Sequence, residues 1–228
     1  MNHKKEKIKI HSFYIKNNIG LRFILQYAVP FTNLKIIRMI SKIKFLIYLC
    51  FITTSLQAQK VSPAEEFWNA LQSHCGKAYE GVLELPEEDE AFGGKKLMMH
   101  VRSCSDTVIK IPFYVGEDKS RTWILTYKDD RISLQHDHRH EDGTEDEINF
   151  YGGTTTNAGK ADIQFFPADE HTQKMIPAAA TNVWWITINK TSFTYNLRRL
   201  GTDRIFRVVM DVTSPIATPE APWGWKTD

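Results

Sequence analysis

The sequence predicts an all-β domain, a mainly antiparallel meander that is barrel-like, with a two-sheet sandwich as the alternative, entered through one short helix. Three observations predict it. Apolar and polar residues alternate over short stretches from Ala78 to Val212. Gly, Asp and Asn pairs punctuate those stretches. Only the segment just ahead of them has a strong helical period.

That segment opens at Ser62-Pro63-Ala64-Glu65, which reads as a Ser cap, a Pro in the first helical position and a Glu completing a capping box. Phe67, Trp68 and Leu71 then share one helical face, and Gly76 can end the helix. Strands are expected at 78–85, 96–104, 107–115, 121–127, 131–140, 147–152, 161–166, 183–189, 192–198 and 204–212. Turn chemistry bounds most of them, at Gly93-Gly94, Gly116-Glu117-Asp118, Asp129-Asp130, Asp142-Gly143 and Asn189-Lys190. Gly152-Gly153-Thr154-Thr155-Thr156 is read as a turn, since it lacks the Lys of a phosphate loop. The alternation is clearest in Ile109, Ile111, Phe113 and Val115, in Trp123, Leu125 and Tyr127, in Phe193, Tyr195 and Leu197, and in Phe206, Val208, Met210 and Val212. Short strands on short turns must close on themselves or fold onto a second sheet. A short helix is expected around Ala168–Lys174. The tail Pro215–Trp225, with three prolines and two tryptophans, is expected on the surface or mouth of the sheet and not within it.

The string Gly76-Lys77-Ala78-Tyr79-Glu80-Gly81 resembles the glycine-aromatic-glycine opening strand of lipocalin-like barrels, and that resemblance implies a barrel in place of a sandwich.

Ahead of the domain, Lys42 and Lys44 precede a charge-free run from Phe45 to Thr54, and Ala58 offers a cleavage point before Gln59. That is the layout of a signal peptide over 39–58. The run is half the ~20 apolar residues of a spanning helix, so no stable membrane span is expected after cleavage. Leu49 before Cys50 is not the small residue of a lipoprotein signal. Residues 1–38 are expected either as a loose basic leader or as an extension of the reading frame ahead of a start at Met39, and 59–228 as the single β-rich domain.

Charge is segregated to match. Residues 1–58 hold 10 of the 29 basic residues and one of the 27 acidic ones, so 19 basic and 26 acidic remain in 59–228. A domain at formal charge −7 lacks the basic face a nucleic acid demands. Cys75 and Cys104 are the two cysteines of the domain, and in an oxidising compartment an even pair is expected as a disulfide.

The unusual stretch is Ile132 to Gly143, containing His136-Asp137-His138-Arg139-His140. Strand alternation puts His136, His138 and His140 on one face, continuing Ile132 and Leu134. Two adjacent imidazoles could bind a divalent transition metal such as Zn, Cu, Ni or Fe, completed by Asp142, Glu145, Asp146 or His100. All three could not, because His136 and His140 would stand about 13 Å apart at roughly 3.3 Å per residue. Otherwise the three imidazoles belong to an emerging strand end, with His136 the most easily kept neutral and His140 the least. The acidic run 141–147 lacks EF-hand spacing and reads as a solvated loop. No G-x-S-x-G, H-E-x-x-H or dinucleotide fingerprint is present.

The strings His100 to Cys104, Ile111 to Trp123, His136 to Gly143 and Pro222-Trp223-Gly224-Trp225 together resemble a family of exported bacterial proteins with no assigned activity, over roughly 65–225. The resemblance implies export and carries over no functional residue. The leading expectation is therefore an exported protein, periplasmic or secreted, that binds a small, partly apolar ligand among Trp123, Trp185 and Tyr195 without turnover. The alternatives are a metal-dependent hydrolase or lyase built on His136, His138 and His140, and an envelope interaction protein using the aromatic tail.

Overall fold

The structure, a computed structural model, describes residues 10–12, 26–28, 38–45 and 60–225 of the 228. The chain divides into two units, Met1–Gln59 and Lys60–Asp228. In the first, Ile10–Ser12 pairs antiparallel with Gln26–Ala28, and residues 38–45 are helical. The expected signal peptide lies outside the described residues beyond Phe45, as does its cleavage point. Among the described residues no helix is long and apolar enough to cross a membrane.

The second unit opens on helix α1 (Pro63–Gln72). The Ser62 hydroxyl accepts from the Glu65 N–H at 3.1 Å and Pro63 stands at the helix start, as the sequence dictates. Ala64, Phe67, Trp68 and Leu71 form its buried face. Strands follow: β1 (Ala78–Leu85), β2 (Leu97–His100), β3 (Ser103–Cys104), β4 (Val108–Val115), β5 (Asp118–Lys128), β6 (Arg131–His138), β7 (Tyr151–Thr154) and β8 (Ile163–Pro167). Helix α2 (Glu170–Met175) and a 3-10 turn at Pro177–Ala179 lead to β9 (Asn182–Ile188), β10 (Ser192–Arg199) and β11 (Ile205–Asp211).

All pairings are antiparallel, in the order β8-β9-β10-β11-β1-β2-β4-β5-β6-β7, with β3 also on β4. The two ends of that order come back together. Gly153 of β7 bridges Ala168, just past β8, and the Asp169 N–H donates to the Gly152 carbonyl at 3.0 Å. The Thr172 hydroxyl of α2 donates to the Gly152 oxygen at 2.8 Å and accepts from its N–H at 2.7 Å. The result is a nearly closed barrel, and the sandwich alternative is set aside. Gly152 and Gly153, expected in a turn, stand instead in β7. A Cβ on Gly152 would collide with the Leu134 carbonyl oxygen, and one on Gly153 with that of Pro167. Bare backbone at Gly153 lets the seam shut, and at Gly152 it lets β6 and β7 lie together.

Two other departures have local causes. The expected strand 96–104 breaks in two because the chain changes partner. The Val101 N–H donates to Lys77 O, then the Arg102 N–H to Lys110 O. The strand expected at 147–152 starts only at Tyr151, because Phe150 has φ +54. Asp129 and Asp130, at φ +50 and +55, make the left-handed pair that a two-residue hairpin between β5 and β6 requires.

Alternation sends one face of the longer strands inward to a continuous apolar core, while the two-residue β3 stays exposed. Helix α1 covers one end of the barrel. The Trp68 indole donates to Asp106 O at 3.0 Å and stacks on Tyr127, at the far end of β5, with centroids 5.6 Å apart. Burying Phe67, Trp68 and Leu71 contributes about 1.5–3 kcal/mol each. Just past the helix, Cys75 is disulfide-bonded to Cys104 of β3, with Cα atoms 6.3 Å apart, as the cysteine count leads one to expect. The C-terminal tail crosses the outside. Ile216 bridges Ala78, Tyr114 donates to Glu220 O at 2.8 Å, and Trp225 lies against Lys110 and Arg102.

Candidate functional site

The interior is aromatic at the end opposite α1. Register places Trp123 of β5, His136 of β6 and Tyr151 of β7 side by side on the inner face. Across the barrel, Tyr195 of β10 stacks flat on Trp123, with centroids 4.4 Å apart and planes at 17°. Phe113 of β4 covers the same indole at 4.8 Å, and Trp184 of β9 lies 5.3 Å from the His136 ring.

His136 is buried, and both ring nitrogens are engaged. Nδ1 faces the Tyr151 carbonyl at 2.9 Å, and Nε2 lies 2.7 Å from Tyr195 Oη. A carbonyl only accepts, so Nδ1 carries the proton and Nε2 accepts from the Tyr195 hydroxyl. Burial pushes the His136 pKa down to about 3, outweighing the Tyr151 hydrogen bond that opposes it. His138 is half-buried, its Nε2 3.0 Å from Tyr151 Oη, and its pKa is lowered first by burial and then by the Arg121 charge. Burial raises Tyr151 to about 12 and Tyr195 well above the ordinary phenol value. All four groups are therefore neutral near pH 7.

These rings wall a cavity of about 260 Å³, which reaches the surface at Ile148 and Arg204, both exposed. Its floor is aromatic, from Phe113, Trp123, Trp184, Tyr195 and Phe206, and its rim carries Arg121, Arg199 and Arg204. Among the described residues no carboxylate lines it. Asn149 pins the loop beside the mouth, accepting from the His138 N–H at 2.8 Å and the Phe150 N–H at 2.9 Å.

Two of the three residues expected around a ligand, Trp123 and Tyr195, line this cavity. Trp185 does not. Strand phase turns Trp184 and Ile186 inward, so Trp185 lies half-buried on the outer face, stacked with Phe165 at 6.1 Å. The histidine stretch is corrected likewise. His136 and His138 do face the cavity, but β6 ends at His138, and His140 is an exposed residue of the following turn. His140 therefore cannot continue the face. Among the described residues no three His, Cys, Asp or Glu side chains are placed to hold a metal ion, and both His136 nitrogens already have partners.

Sequence reasoning missed the three arginines and Trp184. Arg121, Arg199 and Arg204 come from one strand start, one strand end and one hairpin, so no spacing links them. Comparison of the chain with family models, curated proteins and solved structures finds no match.

Proposed function

We propose that this is an exported protein, periplasmic or secreted, that binds a small, partly apolar ligand in the barrel cavity and does not turn it over. The observation that carries this reading is the cavity itself, a concave, aromatic-lined space reaching the surface at one end of the barrel. At about 260 Å³ it exceeds the roughly 150 Å³ of an engineered dry cavity that takes up benzene, so a ligand of one or two rings fits. The polar groups inside are paired with one another and neutral, which suits recognition of a largely apolar body. The signal-peptide layout of 39–58 and the disulfide both suit an oxidising, extracytoplasmic compartment.

The test is a titration of the folded domain with one- and two-ring compounds, read by tryptophan fluorescence. Trp123 and Trp184 line the cavity, so saturable quenching is expected. Ala179→Phe, which fills lining volume from the 3-10 turn, should abolish it while leaving the near-UV circular dichroism of the fold. Quenching that survives this filling, or none with any compound, would overturn the reading.

A further inference from the structure

We infer that the ligand is an apolar monoanion, its ring against Trp123, Trp184 and Tyr195 and its carboxylate held at the mouth by Arg199 and Arg204. This deepens the ligand-binding reading and rests on it. The cavity and the rest of the domain differ in charge. Residues 59–228 carry 26 acidic and 19 basic side chains, yet among the described residues the cavity is lined by three arginines and no acid.

The three are not equivalent. Arg121 is already ion-paired with Asp118, and its guanidinium lies over the Phe92 ring at 5.4 Å. Arg199 commits its Nε to Asn182 Oδ1 at 2.9 Å, and Arg204 is exposed. Among the described residues neither Arg199 nor Arg204 has a carboxylate partner. Arg199 ends β10, and Arg204 stands just before β11, with Arg199 N–H donating to Arg204 O at 3.0 Å across the hairpin. The turn thus presents two guanidinium groups together at the rim. The Arg204 charge reaches inward, where it acts on both Tyr151 and Tyr195.

A planar guanidinium matches a carboxylate in two parallel hydrogen bonds. A single negative charge fits better than two, because Asp118 and Asp146 stand close enough to this mouth to act on His138. The aromatic floor supplies the apolar half of the recognition, and the paired, neutral His136–Tyr195 contact offers no competing cation inside.

The experiment compares phenylacetate and 2-naphthylacetate, each with its own primary amide, by calorimetric titration of the folded domain. The amide has nearly the shape of the acid without the charge. Each acid should bind at least tenfold tighter than its amide, a difference of about 1.4 kcal/mol, and the advantage should shrink with added salt. Arg204→Gln and Arg199→Gln should each narrow the ratio severalfold. Arg198→Gln, on the neighbouring position outside the lining, should leave it unchanged. Phenyl phosphate should bind more weakly than phenylacetate. If amides bind as well as acids, or the two arginine variants keep the full ratio, the charge inference is wrong while the cavity reading stands. If neither member of either pair binds, the cavity reading falls as well.

Discussion

Tyr195 Oη lies 2.7 Å from His136 Nε2. The two side chains reach each other across the barrel, from β10 and β6, strands that are not neighbours in the sheet. This contact, with the Trp123–Tyr195 stack beside it, ties opposite walls together at the cavity floor. Tyr195→Phe keeps the ring and deletes the donor, leaving a buried imidazole nitrogen unpaired. A loss of about 1–3 kcal/mol in unfolding free energy is expected, measured by urea titration at pH 7.5. An unchanged midpoint would mean that the contact does not form.

The same histidine makes stability depend on pH. His136 stays neutral in the folded protein down to about 3, whereas an unfolded chain takes up the proton near 6.5. Its contribution is therefore complete above 6.5, eroded as pH falls towards 3, and level below that. His74, His100 and His138 are lowered by burial in the same direction. Between pH 7 and 5 carboxylates remain ionised, so the decline in this window belongs to histidines. Stability should fall by up to about 1.4 kcal/mol per pH unit through His136 alone, and His136→Gln should flatten the slope. A wild-type midpoint constant from pH 7 to 5 would contradict the buried, neutral assignment.

The seam between β7 and β8 gives a third expectation. A methyl group on Gly153 meets the Pro167 carbonyl, a backbone atom that cannot swing aside. Gly153→Ala should destabilise by about 1–3 kcal/mol or more, with amide exchange speeding up first across β7 and β8. Thr154→Ala, exposed on the same strand, should change the midpoint by only about 0.5 kcal/mol. Equal effects of the two would mean the barrel is open at this edge.

Cys75 and Cys104 are 29 residues apart in sequence, and in the chain-entropy account such a link stabilises by roughly 3–4 kcal/mol. The oxidised domain should contain no titratable thiol, and Cys75→Ala with Cys104→Ala should lower the thermal midpoint by several degrees. Two reactive thiols in the folded, oxidised protein would refute the pairing.

Much of this architecture is legible in the sequence because strand alternation is local. Ser192–Arg199 falls within one residue of its expected span, β6 starts at Arg131 as expected though it stops two residues short at His138, and Ser62-Pro63 marks the helix start to the residue. What escaped is what depends on closure. Trp184 and Trp185 are equally good inward residues until the phase of β9 is fixed by its neighbours, and the phase chooses Trp184. Gly152-Gly153 looks like a turn because the sequence does not show that another strand passes within contact of it. His136 announces itself by its neighbours in the histidine run, but its partner Tyr195 is 59 residues away. The rim arginines gather only once the meander has wrapped around.

The central claim is that the cavity between Trp123, Trp184 and Tyr195 is a ligand site, and the protein's six tryptophans provide the direct measurement. In a proton–nitrogen NMR titration with 2-naphthylacetate, the indole N–H resonances of Trp123 and Trp184 should move together and saturate. Those of Trp68 in α1, of Trp185 outside and of Trp223 and Trp225 in the tail should stay in place. Movement led by Trp185 or the tail tryptophans, with Trp123 and Trp184 unmoved, would place binding elsewhere and contradict the account.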